Sequence, residues 1–414
     1  MTVLATRSTP EDSRSANWLW IAAHSVLGSV PVVMAVASRA STLVLIIAAA
    51  LTLAAILAEG RLRQWLAEFV AALTSPLGLA ILAFLGFAAL STTWSAAPRL
   101  SLATLAEFGA ALGGAFIVGL VLPRRMPQRR PLMLAASLGL ACAAILLQLW
   151  TDSAIRRAVA LRADDFIYNR PTLTVLLLTI PLAWMLLRGG HRRTGWLVLA
   201  AAGATIVISS SGAAVLGALV ALFANGLARS FGRRAVVAFG VCLVSAIALA
   251  PATGPIAERV LPSSVHDGLA HANTRARVEI WTTFGAAVWQ APVLGGGFGF
   301  SPTLAQNRPE PAVPGSDPAT VVLWHPHNAA LQVWVELGAI GAALAITVVV
   351  LLLWRIARLP DEMLAVSLAL LSAVAAVSLV GHGAWQAWWP AAIAAAIVWL
   401  RAARELLRGS DAGL

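Results

Sequence analysis

Lysine is absent from this chain of 414 residues, and charged residues of all kinds make up only 11% of it. The 29 basic residues are all arginines, against 18 acidic residues, and the formal net charge is +11. In a soluble protein this excess would suggest nucleic acid, but most of the arginines lie between apolar stretches. Hydrophobic residues make up 59% of the chain and the mean hydropathy is +0.83, which excludes an ordinary soluble domain. We therefore predict a polytopic membrane protein with no nucleic-acid partner.

Cysteine is also scarce, since Cys142 and Cys242 are the only two and both lie within apolar runs. This placement supports neither a disulfide framework nor a cysteine metal cluster. The carboxylates and histidines form no metal-binding repeat, and the glycines at 295–299 follow a predicted helix, unlike those of a nucleotide-binding loop. We predict no metal and no cofactor. Residues 1–16 are polar and lack a cleavage pattern, which favours a retained first helix over a signal peptide.

Apolar stretches of about 20 residues, enough to cross a hydrocarbon core of about 30 Å, recur along the chain. They predict an all-α polytopic membrane protein with about 12 transmembrane helices and a large extramembrane loop that contains short helices. The predicted spans are 17–37, 41–58, 76–94, 101–122, 131–150, 170–187, 195–211, 212–228, 235–253, 328–354, 361–380 and 387–403.

Arginine placement orients these spans. With the N terminus inside, 19 of the 29 arginines fall in cytoplasmic segments, and every short cytoplasmic loop is basic. We therefore divide the chain into residues 1–253 with the first nine transmembrane helices, an outer loop at 254–327, and residues 328–414 with the last three transmembrane helices and a cytoplasmic tail.

Three outer segments are polar enough to build a site, namely 151–169, 254–327 and 381–389. The middle one, with roughly seventy residues, is far longer than an ordinary connection, which indicates a function. Within it we predict a helix at 271–290 with Ile280, Phe284, Ala287 and Val288 on one face, broken by the glycines that follow. The proline-rich stretch 308–318 is predicted to be an irregular arm.

Two histidines, His325 and His327, lie where this loop enters an apolar stretch. If a helix begins near Asn328 and turns about 100° per residue, Gly338 and Gly341 fall on the face of His327 and allow another helix to approach closely. Glu336 falls about half a turn out of phase. It is therefore not expected to orient His327 directly.

Histidine is a suitable general base because its unperturbed pKa is about 6.5. His327 is the stronger candidate, and its alternative role is a hydrogen bond at the helix start. His325 is isolated by Pro326 and is given a supporting role. Both would project to the same side of an extended strand, but no third ligand for a metal is evident nearby.

Arg170, Arg275 and Arg277 are outer-face arginines that the topology does not require. Guanidinium groups bind phosphate oxygens in a bidentate manner, so these residues suit a phosphate-bearing lipid. The alternatives are a snorkelling anchor for Arg170, a solvated charge for Arg275 and, for Arg277, an ion pair with Glu279 or a neighbouring carboxylate. The sequence does not decide whether Arg275 or Arg277 is the main phosphate contact.

The pair His327-Asn328, followed by nine residues, Gly338, two residues and Gly341, resembles the signature of the bacterial O-antigen ligase family, which is grouped with the O-antigen polymerases. Two further patches resemble that family. They are Arg277–Trp281 with the glycine-rich run at 292–299, and the early outer-loop pattern at 90–98. In one departure, Ser209-Ser210-Ser211-Gly212 stands where many relatives carry an arginine after a serine.

The resemblance implies a metal-independent, inverting glycosyltransferase of lipopolysaccharide biosynthesis in the bacterial inner membrane, with its active site facing the periplasm. Its donor would be a glycan on undecaprenyl pyrophosphate and its acceptor lipid A-core. By the resemblance, His327 activates the acceptor hydroxyl and Arg277 holds the pyrophosphate, with Arg170 as a second arginine. Arg275 could share that phosphate contact, and Asn328 and Trp281 would support the site.

Two other functions remain open from the sequence. A polymerase of the same superfamily would use similar residues to join lipid-linked repeat units of an O-antigen or exopolysaccharide. A polysaccharide or lipid transporter should carry ionisable residues in mid-membrane or broken helices in matching halves. The apolar spans are almost free of charge and the polar groups collect at one face, which favours surface chemistry over transport.

Overall fold

The computed structural model describes residues 10–127, 130–261, 274–306 and 325–411, and the regular elements of these ranges are all helical. The α-helices are α1 Pro10–Gly28, α2 Val30–Val36, α3 Ser41–Ala58, α4 Leu62–Leu73, α5 Pro76–Ser91, α6 Pro98–Val121, α7 Arg130–Trp150, α8 Ala154–Ala158, α9 Asn169–Arg188, α10 Arg192–Ile208, α11 Gly212–Phe231, α12 Arg233–Ala248, α13 Thr253–Val260, α14 Thr274–Val288, α15 Ser301–Gln306, α16 Ala329–Ile356, α17 Asp361–Val380 and α18 Trp388–Asp411. Short 3-10 turns lie at Thr92–Trp94, Leu122–Arg125, Asp165–Tyr168 and Ala250–Ala252.

Among the described residues, 8 helices are long and apolar enough to cross a membrane, or up to 10 if each of two bent pairs is one span. The bent pairs are α1 with α2, at 45°, and α12 with the helical residues up to Val260, at 65°. The predicted all-helical membrane fold is thus confirmed, but the count of twelve is not. Helix α10 has only 17 residues. Helix α18 carries Arg401, Arg404 and Glu405 in its second half.

The chain forms two compact units of discontinuous sequence. One unit combines residues 1–74, 109–209 and 387–414, and the other combines residues 75–108 and 210–386. The first contains Arg170, while the second contains Arg277 and His327. The predicted division at residues 253 and 327 stays a prediction.

Helix α14 is fixed in the second unit by the apolar face that the sequence predicted. Ile280, Phe284 and Val288 are buried against Leu331 and Val335 of α16. The helix predicted at 271–290 is thus confirmed over Thr274–Val288, while residues 271–273 lie outside the described part. The arm predicted at 308–318 also lies outside it. Because α14 packs on the first turns of α16, its early residues lie close to the start of α16.

Helix α16 is interrupted at Gly338, which has φ 60° and ψ −160°. The interruption releases backbone groups on both sides of Gly338, and these pair with the glycine-rich loop that follows α14. The bonds are Gly296 N to Val335 O at 2.9 Å, Gly297 N to Glu336 O at 2.9 Å and Ala339 N to Pro292 O at 2.9 Å. Gly338 therefore faces the backbone of this loop rather than another helix. This differs from the continuous helix on which the predicted common face of His327, Gly338 and Gly341 depends.

We expect Gly338→Ala to lower the free energy of unfolding by at least about 2 kcal/mol. A side chain at positive φ is strained, and the added Cβ would press on the backbone of Val293 and Gly295. The measurement is the thermal unfolding midpoint in detergent. Gly86→Ala is the matched control, because its Cβ on α5 would meet nothing within 4 Å. Equal midpoints for both variants would contradict the structural role of Gly338.

Candidate active site

Helix α16 begins with a side-chain cap. The Asn328 side-chain oxygen accepts a hydrogen bond from the backbone N–H of Leu331 at 3.0 Å, which satisfies an otherwise unpaired donor of the first turn. The predicted helix start near Asn328 is therefore confirmed. His327 immediately precedes this cap and has φ 51°, a left-handed conformation that residues other than glycine seldom adopt.

The imidazole of His327 has a defined tautomer. Its Nδ1 lies 3.2 Å from the carbonyl oxygen of Gly381. A carbonyl oxygen only accepts hydrogen bonds, so Nδ1 must carry the hydrogen. In the neutral ring the lone pair is then on Nε2, which is the nitrogen able to accept a proton.

The second histidine, His325, is oriented by two contacts. Its Nδ1 accepts a hydrogen bond from the backbone N–H of His327 at 3.2 Å, so in the neutral ring of His325 the hydrogen is on Nε2. The amide nitrogen of Gln386 is 2.8 Å from this Nε2. Two N–H groups cannot bond each other, so with this tautomer the Gln386 amide is turned to present its oxygen to His325. The two imidazoles are 4.4 Å apart between centroids. His325 thus supports the backbone of His327.

The surroundings keep His327 neutral at pH 7. Burial lowers the pKa of His327 below the ordinary value of 6.5, and the positive charge of Arg277 lowers this pKa further. The hydrogen bond to Gly381 acts in the opposite direction and is the smaller effect compared with burial. A neutral imidazole whose Nε2 carries a lone pair can act as a general base.

Helix α14 brings Arg277 toward the histidines. Trp281, one turn further along this helix, donates a hydrogen bond from Nε1 to the carbonyl oxygen of Pro326 at 3.0 Å. Arg277 is half-buried, and burial lowers the pKa of its guanidinium, which still stays charged at neutral pH. Arg275 is exposed. Of these two arginines, Arg277 is the one whose charge acts on His327.

A buried carboxylate, Glu336, lies in the middle of the site and was not among the predicted site residues. It is 0% exposed and accepts hydrogen bonds from five donors. The donors are Gly299 N at 2.6 Å, Ser301 N at 3.3 Å, Ser301 Oγ at 2.5 Å, Gln332 Nε2 at 2.9 Å and Trp385 Nε1 at 2.5 Å. The available signal was a single acidic residue in an apolar stretch, which is costly unless it has partners.

The segment between α17 and α18 holds both histidines. The carbonyl of Gly381 orients His327, and Gln386 contacts His325. Between them the backbone N–H of Ala384 donates to Gln332 Oε1 at 2.8 Å. This segment is the first part of the outer polar segment predicted at 381–389.

The three patches that carry the family resemblance meet in the second unit. Phe298, in the glycine-rich run, donates its backbone N–H to Ser91 Oγ at 3.0 Å. The ring of Phe298 lies 4.5 Å from that of Trp385, which also bonds Glu336. A Cβ at Gly297 would lie 2.6 Å from the Cα of Ser95, so only glycine allows this approach.

The remaining predicted residue, Arg170, belongs to the first unit. It is half-buried at the start of α9, and its Cζ lies 5.5 Å from the ring centroid of Trp388, a cation–π geometry. Its predicted role in binding phosphate stays a prediction. In the described part of the chain, no group of three or more His, Cys, Asp or Glu side chains converges as metal ligands do.

We expect Glu336→Gln to lower the free energy of unfolding by about 3 kcal/mol, because an amide NH₂ would replace one oxygen that now accepts from buried donors. The thermal unfolding midpoint in detergent measures the loss. Glu68→Gln is the matched control, since Glu68 forms a partly exposed ion pair with Arg124 at 3.1 Å and should change stability by less than about 1 kcal/mol. An unchanged midpoint for Glu336→Gln would rule out the proposed cost.

Residues 196–346 match the sequence model of the family described as O-antigen ligase. The predicted resemblance to this family is thereby confirmed for the segment that contains Arg277, His327, Gly338 and Gly341. No curated protein matches the chain. The matched segment is similar to that family, and the apolar helices support a multi-pass membrane protein.

Proposed function

We propose, on the basis of the O-antigen ligase match over residues 196–346, that this protein is a lipid A-core:O-antigen ligase. It transfers a glycan from undecaprenyl pyrophosphate to a sugar hydroxyl of lipid A-core at the periplasmic face of the bacterial inner membrane. The observation that carries the proposal is the hydrogen bond from His327 Nδ1 to the Gly381 carbonyl, which leaves the lone pair of the neutral ring on Nε2. The positive charge of Arg277 acts on this ring.

In the proposed reaction, Nε2 of His327 takes the proton of the acceptor hydroxyl. The oxygen forms a bond to the anomeric carbon of the donor from the face opposite the pyrophosphate. The bond from that carbon to the pyrophosphate oxygen breaks, and its electron pair leaves with undecaprenyl pyrophosphate. The configuration is therefore inverted. The carbonyl of Gly381 continues to accept the Nδ1 hydrogen while the ring is protonated.

Arg277 neutralises charge on the leaving group. Pyrophosphate leaves without protonation, so the reaction needs positive charge and one base, rather than the carboxylate pair of a typical glycosidase. We propose Arg277 as the main phosphate contact because it is the half-buried arginine of its helix. Arg170 and Arg275 are proposed as further contacts of the lipid phosphates. His325, Asn328 and Trp281 hold the base in position.

The proposal includes twelve membrane spans, both termini in the cytoplasm and the loop at 254–327 in the periplasm. The support is the arginine distribution, in which every short cytoplasmic loop is basic. Helix α10 and the first half of α18 would then be short spans. The arginines in the second half of α18 would belong to the cytoplasmic tail.

We expect His327→Ala to lower the transfer rate at least about a hundredfold, because a positioned general base contributes about 10²–10⁴-fold. The assay contains purified protein, lipid A-core and undecaprenyl-pyrophosphate glycan, with a chelator and without nucleotide or added metal. His191→Ala, at an exposed histidine before α10, is the control and should retain transfer.

Three outcomes of this assay contradict the proposal. Full transfer by His327→Ala would remove the histidine from the chemistry. Longer undecaprenyl-linked chains without glycan-bearing lipid A would identify a polymerase. If the wild-type protein gave neither product, a transporter would become the favoured function.

The rate is expected to fall on the acid side with an apparent pKa below 6.5, because His327 must be neutral to act and its pKa is lowered by burial and by Arg277. Arg277→Ala removes a positive charge near the ring and should move this acid-side fall of the rate, the acid limb, to higher pH. It should also raise the KM for the donor. The measurement is kcat/KM against pH for both proteins. A limb that does not move would exclude charge coupling between Arg277 and His327.

A further inference from the structure

A cavity lies on the His325 side of the histidine pair, within the second unit. It has a volume of about 120 Å³ and is bounded among others by Thr104, His325, Gln332, Glu336, Trp385 and Gln386. A single water needs roughly 10–15 Å³ of cavity volume, so the cavity can accommodate several waters or one sugar ring. Neither the sequence motifs nor the proposed proton transfer uses this cavity.

The cavity wall has the chemistry of a carbohydrate site. Trp385 borders the cavity, and its ring is buried against Phe84, Phe108 and Phe298. The part of the ring that borders the cavity can contact the apolar C–H groups of a sugar. The amide of Gln332 already bonds Glu336 and Ala384. The partners for sugar hydroxyl groups on this wall are therefore Thr104 and Gln386, whose amide also contacts His325. An apolar wall with a few oriented polar groups is typical of a small-molecule site.

The wall does not suit the phosphate end of the donor. Glu336 accepts hydrogen bonds on both of its side-chain oxygens, and none of the described residues that line the cavity is an arginine. A pyrophosphate would therefore find no guanidinium group there to pair with. An uncharged sugar needs none.

The cavity also lies next to His327, the proposed general base. His325 lines it and accepts a hydrogen bond from the backbone of His327, and the two imidazoles are 4.4 Å apart. A sugar in the cavity therefore lies one imidazole ring away from His327. We propose that this cavity binds the acceptor sugar, an uncharged hexose-sized residue of the lipid A-core, and so holds the hydroxyl that His327 activates. This inference rests on the proposed function.

The test uses larger side chains on helix α6 to reduce the volume of the cavity. Thr104 lies on its wall and takes no part in the hydrogen bonds to Glu336. In the series Thr104→Val, Thr104→Leu and Thr104→Phe, we expect the KM for lipid A-core to rise with side-chain size, about tenfold for Phe, while the KM for the donor stays constant. Ala106→Phe, at an exposed position of the same helix, is the control and should behave as wild type. If Thr104→Phe does not fold, Thr104→Leu carries the test.

A binding measurement separates this inference from the proposed function. Deacylated core oligosaccharide is titrated into the purified full-length protein by calorimetry, in the absence of donor. We expect binding to the wild type and to Ala106→Phe, and about tenfold weaker binding to Thr104→Phe. This result would support the cavity even if no transfer were detected.

Two results would overturn the acceptor site. In the first, the Thr104 variants keep the wild-type KM for lipid A-core and the wild-type affinity for the oligosaccharide, while His327→Ala is inactive. The ligase function would then be retained and the acceptor site rejected. The other is a rise in the KM for the donor with the KM for lipid A-core constant, which would assign the cavity to the donor sugar.

Discussion

The buried carboxylate of Glu336 is the constraint on which the site depends. A carboxyl group without water needs hydrogen-bond partners, because an unpaired one costs several kcal/mol. Its donors come from α16 itself, from the loop at 299–301 and from Trp385. These segments are distant in sequence, so one side chain fixes their relative positions. The contacts of His325 and His327 with the segment at 381–386 depend on that arrangement.

The rigid surroundings hold His327 in an unfavourable backbone conformation. Its left-handed backbone costs roughly 1–2 kcal/mol for a residue with a Cβ, and such strain persists only where neighbouring contacts hold it. The Asn328 cap follows directly, and a neutral carbonyl, that of Gly381, orients the ring. A carboxylate in place of that carbonyl would raise the pKa of the imidazole. The carbonyl raises this pKa less than burial lowers it, so the ring is neutral and able to accept a proton.

The sequence predicted local features of the site better than long-range ones. The helix start at Asn328 and the buried face of α14 follow from capping and from a period of 3.6, which are local properties. The kink at Gly338 could not be predicted in this way, because helical phase assumes a continuous helix. The helical phase of Glu336 relative to His327 indicates nothing about its partners. Its true partners lie at 299–301 and 385, and no local pattern indicates them.

The residues around the histidine pair distinguish the two proposed substrates. Arg277 acts on His327 with a positive charge, whereas none of the described residues that line the cavity beside His325 is an arginine. A pyrophosphate is held by guanidinium groups and would have no such partner in the cavity. Glu336 offers no positive charge either, because both of its side-chain oxygens accept hydrogen bonds from the surrounding protein. An uncharged acceptor sugar needs no charged partner, so the cavity suits the nucleophile better than the anionic end of the donor.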